Sequence, residues 1–464
     1  MVKVIADRRA AAIRMMLGTA IAGLGLGAVA ASLGRHTLDL LGGLLLVPLV
    51  LWVGPGVVTL LLACGRLPAQ VLVSAHATDI YMVVAIPFGV LGLASLPRRL
   101  LAIAWTMIGV FAVYVLIGGG YTKSVIAGIY SGVYYGLFAI MLGVGVSSRR
   151  QGYSPENLRR GVIAVALVNA AVIFWQASGH VLPMYSKFGF YANGVMSPSY
   201  LTEMFGKIVV RNTGLFINPD YAGSFLSFAA VWMIWSRRPA YLSWMLAFVI
   251  SIAVFLTYAR SAILEEAVGV CAWLWWRYGK QVSMFAMGIL LAGLMTAWTT
   301  RTFLALHNGS ATYHLRSIGV GLELFLEHPF GLGFGSTGIG GASRLLAGIG
   351  GPIRFVPGSE TGWIQYADQL GVVGVAVLGL LLFRVWRQLS VTWAGCDGGM
   401  AVAALIMWCV CAMFLPAVNQ VGFSAAVWIL IGMVAGGTGA DGRNRAMIAI
   451  DGEGGDGSHG GPDY

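Results

Sequence analysis

The sequence predicts an all-α, polytopic integral membrane protein with 12–13 transmembrane helices. Three features of its composition support this class: 58% of its 464 residues are hydrophobic, only 10% are charged, and its mean hydropathy is +0.81. A soluble globule of this composition would expose too much apolar surface to water. Because hydrocarbon offers no partner to an open backbone, the segments that cross it must be helices.

Thirteen apolar runs are long enough, or nearly so, to cross the hydrocarbon layer, which takes about 17–25 helical residues. They lie near Met15–Ser32, Leu40–Cys64, Ile80–Leu96, Leu100–Ile117, Val125–Val146, Gly161–Ala177, Phe216–Trp235, Leu242–Tyr258, Ala262–Trp276, Val282–Thr300, Trp363–Trp386, Met400–Pro416 and Val421–Gly436. If all thirteen span the membrane and the C-terminus is cytoplasmic, the basic N-terminus lies outside, against the positive-inside rule. We therefore expect 12 or 13 spans.

Basic residues gather in short clusters between the apolar runs, and such clusters indicate topology. When the spans alternate, the clusters fall on the side of Arg149/Arg150, which we assign to the cytoplasm. The segments 179–213 and 301–362 are then external. Since the net charge of +11 is not spread along one basic face, we expect no nucleic acid partner. The five cysteines are scattered and lie mostly within apolar runs, which indicates packing roles.

The alternation of apolar and polar segments predicts six regions. These are an N-terminal transmembrane bundle (1–178), an external loop (179–213), central transmembrane helices (214–300), a large external loop (301–362), C-terminal transmembrane helices (363–437) and a disordered cytoplasmic tail (438–464). We expect disorder in the tail because it is rich in Gly and Asp and has few apolar residues.

The first external loop leads into a helix start with an anion-binding pattern. Asn218 suits an N-cap, Pro219 suits the first helical position, and Asp220 suits the positive end of the helix dipole. The free N–H groups of a helix start, with Arg211 close in sequence, predict an anion site at the membrane surface. The alternative is that Arg211 extends to lipid phosphate.

Within the large loop, Leu315, Ile318, Leu322, Phe325 and Leu326 recur at helical spacing. They predict a short amphipathic helix that ends at His328-Pro329 and lies along the membrane surface. On this helix Arg316 is two turns from Glu323, too far for a local pair. It is therefore free to face a ligand, or else belongs to a solvated face.

A glycine-rich run, Gly331–Gly338, follows this helix. No strand precedes it and no Gly-Lys-Ser/Thr follows it, so the pattern does not indicate a nucleotide-binding loop. Such glycines favour tight turns and close approach of the backbone to membrane or ligand.

Two further ionisable residues stand at helix edges. Arg260 has no carboxylate three or four positions away, so its charge partner must come from elsewhere in the chain. Glu360 precedes the span that begins near Trp363. It either compensates the helix dipole or acts as a general base toward an incoming hydroxyl group. The histidines of the large loop lack the spacing of metal ligands.

Taken together, these motifs resemble the O-antigen ligase and polysaccharide polymerase superfamily of bacterial envelope proteins over about residues 200–385. The resemblance rests on Arg211–Asp220, Thr257–Ser261, Arg316 with His328–Gly335, and Glu360 with Gly371–Gly374. The N-terminal half agrees only in hydropathy.

The resemblance implies a GT-C-like, metal-independent glycosyltransferase without a cofactor. Its donor would be an undecaprenyl-diphosphate-linked glycan, and its partners the lipid bilayer and a chain-length regulator or flippase. It implies a multi-pass protein of the bacterial inner membrane whose active site faces the periplasm or exterior. Arg211 and Arg316 would bind the diphosphate, with Arg260 as a third contact. The 301–362 loop would be catalytic, with Arg316 and Glu360 as its catalytic residues.

Three functions remain open at this stage. In ligases of the superfamily, a histidine near the end of the large loop resembles an acceptor-activating base. Glu360 holds that place here, and this difference favours a polymerase that joins repeat units of O-antigen or exopolysaccharide. The alternative is a ligase or O-oligosaccharyltransferase that moves the glycan to lipid A core or to protein. A polysaccharide-related transporter is the third: no internal repeat supports it, but Glu265 and Glu266 inside an apolar run do.

Overall fold

A computed structural model shows a chain that is mainly α-helical, as predicted. It describes residues 54–64, 80–96, 98–122, 125–180, 191–192, 195–196, 201–204, 207–216, 218–235, 240–299, 310–337, 359, 361–415 and 421–452. The helices are α1 (Pro55–Cys64), α2 (Ile80–Leu93), α3 (Arg98–Thr122), α4 (Val125–Tyr135), α5 (Leu137–Arg150), α6 (Pro155–Ala177), α7 (Pro219–Ile234), α8 (Tyr241–Leu256), α9 (Arg260–Tyr278), α10 (Lys280–Thr299), α11 (Ser310–Glu327), α12 (Gly362–Ser390), α13 (Cys396–Phe414) and α14 (Val421–Gly452).

Four of these helices are long and apolar enough to cross a membrane within the described residues: α3 over Ala104–Thr122, α6, α12 and α13. Helices α1 and α8 and the Val421–Gly437 part of α14 are apolar but shorter. The all-α, polytopic membrane class is therefore confirmed. The number of 12–13 spans stays a prediction, because the apolar run Met15–Ser32 lies outside the described residues.

The segment 179–213, which we predict to be external, contains two small antiparallel hairpins that we did not predict. In one, β1 (Tyr191–Ala192) pairs with β2 (Val195–Met196). In the other, β3 (Leu201–Met204) pairs with β4 (Lys207–Val210). Asn193-Gly194 between β1 and β2 is a typical hairpin sequence and was the available signal.

Two predicted boundaries are wrong. The run Val125–Val146 forms two helices, α4 and α5, which meet at Gly136, because this glycine packs against the ring of Phe111 and helices commonly kink at glycine. The last helix continues to Gly452 through the first part of the segment that we expected to be disordered. Once a buried helix has formed, each further residue adds a hydrogen bond without a new nucleation cost.

Glycines bring α5 close to its neighbours on two sides. A Cβ atom on Gly143 would lie 2.0 Å from the carbonyl oxygen of Gly89 on α2. Likewise, a Cβ atom on Gly432 of α14 would lie 2.0 Å from the carbonyl oxygen of Leu142. Small residues of this kind let membrane helices pack backbone against backbone, which fixes the bundle that carries the site.

Helix α12 breaks at Gly371, whose φ of 60° and ψ of −167° are not helical. The break frees the carbonyl oxygens of Asp368 and Gln369, which would accept from the residues four positions later in a continuous helix. The backbone N–H groups of Leu332 and Gly333 bind these two oxygens instead, each at 2.9 Å. The glycine run thus completes the hydrogen bonding of a broken helix.

The other side of the same run contacts α3. The backbone N–H of Phe334 donates to the Tyr114 carbonyl oxygen at 2.9 Å, and the Tyr114 hydroxyl donates to the Phe330 carbonyl oxygen at 2.8 Å. Gly333 has a φ of 84°, and a Cβ atom there would lie 2.0 Å from the backbone nitrogen of Gly118. The close approach is therefore between two stretches of backbone, whereas we predicted approach to membrane or ligand.

We expect Gly333→Ala to destabilise the protein by about 2–5 kcal/mol, because it adds about 1–2 kcal/mol of left-handed backbone strain to about 1–3 kcal/mol of overpacking. Thermal unfolding in detergent micelles measures this loss. The matched control is Gly319→Ala within α11, where a Cβ atom would meet nothing within 4 Å. An unfolding temperature of Gly333→Ala equal to that of wild type would contradict the packing described here.

Candidate functional site

The first turns of α7, α9 and α12 lie at one end of the bundle. Near this end the Ser224 hydroxyl of α7 donates to Glu265 Oε1 of α9 at 3.1 Å, and it lies 3.9 Å from Cys411 Sγ of α13. Trp363 Nε1 of α12 donates to the Cys409 carbonyl oxygen of the same α13 at 3.1 Å. Three helix N-termini therefore meet beside the C-terminal end of α13. Their dipoles favour negative charge there.

Arg211 and Arg260 meet around Asp220 at this end. Arg211 Nη2 forms an ion pair with Asp220 Oδ1, and the two side chains are 17% and 18% exposed. Arg260, the first residue of α9, interacts electrostatically with both Arg211 and Asp220. Asp220, two helices earlier in the chain, is the attractive one of these two charges for Arg260.

The predicted helix start at Asn218 is confirmed. Asn218 Oδ1 accepts from the backbone N–H of Asp220 at 2.8 Å, and Pro219 occupies the first helical position. This cap fixes Asp220 in the first turn, where its carboxylate meets Arg211. Local sequence chemistry therefore places the acidic member of the cluster.

The Arg211–Asp220 pair leaves donors of Arg211 available. A guanidinium group has five N–H donors, and Arg211 Nε has no hydrogen-bond partner among the described residues. Two arginines and one aspartate give the cluster a formal charge of +1. A partly desolvated cluster with an excess positive charge and spare donors is suited to a phosphate or diphosphate group.

Two amide side chains of α6, which sequence reasoning missed, hold the segment that carries Arg211. Gln176 Oε1 accepts from the backbone N–H groups of Thr213 and Gly214, and Asn169 Oδ1 accepts from the backbone N–H of Leu215. The available signal was two amides seven positions apart within an apolar run, which puts them on one helix face.

Arg316 is exposed on α11, the predicted amphipathic helix, which ends at Glu327 just before His328. A Cβ atom on Gly321 would lie within 2.8 Å of Ile364 and Ser359 side chains, and Gly331 meets Gly371. This order of contacts shows that α11 runs in the same direction as α12. Arg316 therefore lies toward the N-terminal end of α12, where the three N-termini gather. No described contact joins it to Arg211 or Arg260.

The side of α11 that packs against the protein is not the apolar stripe that we predicted from the sequence. Ser317, Gly321 and Leu324 are buried against the rest of the chain, whereas Leu322 and Leu326 are 50% and 77% exposed. Gly321 makes the close contact with α12, which leaves Leu322 and Leu326 outside. Their exposure accords with the predicted membrane-surface position, which stays a prediction.

Glu360 lies outside the described residues, but both of its neighbours are buried. The Ser359 hydroxyl accepts from the Thr361 backbone N–H at 3.0 Å, and Gln365 Nε2 donates to the Ser359 carbonyl oxygen at 2.6 Å. The backbone on each side of Glu360 is thus anchored to the first turns of α12. Two turns further on, Asp368 is fully buried, and the Ser359 backbone lies beside it.

Asp368 is a second residue that sequence reasoning missed. Neither of its carboxylate oxygens makes a hydrogen bond of ordinary geometry within the described residues. It lies beneath the interface of α11 and α12, 3.3 Å from the position of a Cβ atom on Gly321. Its place as an ionisable residue within a predicted span was the available signal, and this signal does not separate it from a structural residue.

Comparison with known families finds a matching domain within the chain. Residues 244–379 match the family model described as O-antigen ligase. The matched stretch contains Arg260, Arg316 and Glu360, whereas Arg211 precedes it. A comparison with curated proteins finds no match.

Proposed function

We propose that this chain is a glycan polymerase of the bacterial inner membrane, since its residues 244–379 match the family model described as O-antigen ligase. In this proposal it joins oligosaccharide repeat units linked to undecaprenyl diphosphate, at the external face. The growing glycan stays on its lipid carrier, and the loop 301–362 covers the site. A chain-length regulator or flippase is a proposed partner.

The meeting of Arg211 and Arg260 around Asp220 is the observation that carries this proposal. The cluster lies where three helix dipoles favour an anion, at the end of a bundle with four membrane-length helices. A prenyl diphosphate has its phosphates at the membrane surface and its chain in hydrocarbon. It therefore matches both the charge and the position of the cluster.

The reaction needs stabilisation of the leaving diphosphate and removal of one proton. The acceptor sugar oxygen attacks the anomeric carbon of the donor, and the bond from that carbon to the diphosphate oxygen breaks with its electron pair. Arg211, Arg260 and Arg316 stabilise the charge on the departing diphosphate. Glu360 takes the acceptor hydroxyl proton, so the arginines and one carboxylate supply the chemistry without a metal ion.

Glu360 favours the polymerase over a ligase or O-oligosaccharyltransferase, because ligases resembling this chain have a histidine at its place. Purified protein supplied only with lipid-linked repeat units separates the two functions. A polymerase yields a ladder of glycan lengths that stays on the lipid. If no product forms until lipid A core or a protein acceptor is added, the polymerase proposal is wrong and the ligase stands.

We expect Arg316→Lys to lose at least about tenfold in the rate of polymer formation, because an ammonium group lacks the planar fork that binds phosphate through two hydrogen bonds. The rate is measured on lipid-linked repeat units by gel separation of products. Glu323→Gln, an exposed change on the same helix, is the control and should behave as wild type. Full activity of Arg316→Lys would count against two-point binding of the diphosphate.

A further inference from the structure

Residues 211–216 form a non-helical stretch that leads toward the start of α7 at Asn218. Asn212 and Thr213 are buried, with exposed fractions of 6% and 2%. Non-helical backbone near a membrane persists only where protein groups satisfy its N–H and C=O groups. The chain therefore needs side-chain partners for this segment.

Helix α6 supplies these partners from inside a membrane-length span. Gln176 Oε1 accepts from Thr213 N at 3.1 Å and Gly214 N at 3.0 Å, and its Nε2 donates to Gly214 O at 3.4 Å. Asn169 Oδ1 accepts from Leu215 N at 2.7 Å. Asn169 lies well inside this span, where a polar side chain is costly, so its use there indicates a specific task, whereas Gln176 lies at the C-terminal end of the span.

The same segment is fixed at three further points. A Cβ atom on Gly214, whose φ is 58°, would lie 2.0 Å from Asn169 Oδ1, so only glycine allows this contact. Asn212 Nδ2 donates to the Leu256 carbonyl oxygen at 2.8 Å, which ties the segment to the end of α8 just before Arg260. At its other end Asn218 caps α7.

We propose that Gln176 and Asn169 are positioning residues that hold the Arg211–Asn218 segment so that Arg211 faces a lipid-linked diphosphate together with Arg260. The nature of the ligand rests on the proposed function. The amides touch only the backbone of the segment and act through Arg211. Their removal is therefore expected to weaken diphosphate binding only while Arg211 is present.

A double-mutant cycle tests this coupling with farnesyl diphosphate as the probe. Gln176→Met keeps the side-chain volume and removes the polar atoms. We expect it to weaken binding about tenfold in the wild-type background and less than about twofold in the Arg211→Ala background. Ser148→Ala removes a buried hydrogen bond to Gly56 N between α1 and α5, and it should bind as wild type. Equal losses in both backgrounds would overturn the proposal.

Hydrogen–deuterium exchange tests the clamp without any ligand. Gln176→Met and Asn169→Leu are each expected to speed exchange of the 213–215 backbone amides at least about tenfold, since each amide loses its acceptor. Unchanged exchange in both variants would overturn the proposal. If wild-type protein fails to bind farnesyl diphosphate, the proposed function is wrong. The exchange rates then still decide whether the two amides hold the segment.

Discussion

Arg211→Ala is expected to reduce polymer formation at least about 100-fold, since removing one preorganised group that stabilises transition-state charge costs about 10²–10³ in rate. Arg211 is paired with Asp220 at a site where three helix N-termini meet, and its Nε has no partner among the described residues. It can therefore bind a diphosphate without releasing Asp220. The variant should still reach the membrane, because Arg260 remains to balance Asp220. Product ladders from equal amounts of purified protein measure the effect.

Two further variants serve as comparisons for Arg211→Ala. Arg211→Lys restores the charge without the fork and should recover little activity. Arg160→Ala removes a 76% exposed arginine of α6 whose ion pair with Glu156 is worth little, so it should keep nearly full activity. Activity of Arg211→Ala close to that of Arg160→Ala would show that the Arg211 cluster does not hold the leaving group.

Glu360→Gln is expected to lower turnover by about 10²–10⁴ while the affinity for the lipid-linked donor stays within about twofold. An amide has almost the same shape as the carboxylate but cannot accept the acceptor proton. Single-turnover rates and donor titrations on the same preparation separate these two quantities. Glu360→His restores a proton acceptor and should recover part of the rate.

The control for this change is Glu327→Gln, which alters an exposed glutamate at the end of α11. It tests whether loss of any carboxylate in the 301–362 loop slows the reaction. A wild-type turnover rate in Glu360→Gln would show that Glu360 is not the general base. Another carboxyl group would then be the candidate. Asp368, buried two turns into α12, is the nearest described carboxyl group in the sequence.

Local chemistry could be predicted from the sequence where it depends on neighbouring residues. The cap at Asn218, the proline at the first position and the end of α11 before His328 follow from steric and hydrogen-bonding rules that act over a few positions. The membrane class follows from composition alone. Each of these features is confirmed.

Features that depend on contacts between distant segments could not be predicted. The Arg260–Asp220 interaction joins α7 and α9, and neither helix's own sequence indicates that the two pack together. Gln176 and Asn169 looked like isolated polar residues because their partners are backbone groups about 40 positions away. The glycine run at Gly331 predicts close approach to membrane or ligand, but the groups it approaches are backbone atoms of α3 and α12, which the tertiary fold places there.

The central claim is that arginines from separate parts of the chain hold one diphosphate at the end of the bundle where α7, α9 and α12 begin. An experimental structure of the Glu360→Gln variant with bound undecaprenyl diphosphate tests it most directly. The account predicts phosphate density in contact with Arg211 and Arg260, with Arg316 reaching it from α11. Density at any other part of the surface, with these guanidinium groups turned away from it, would contradict the account.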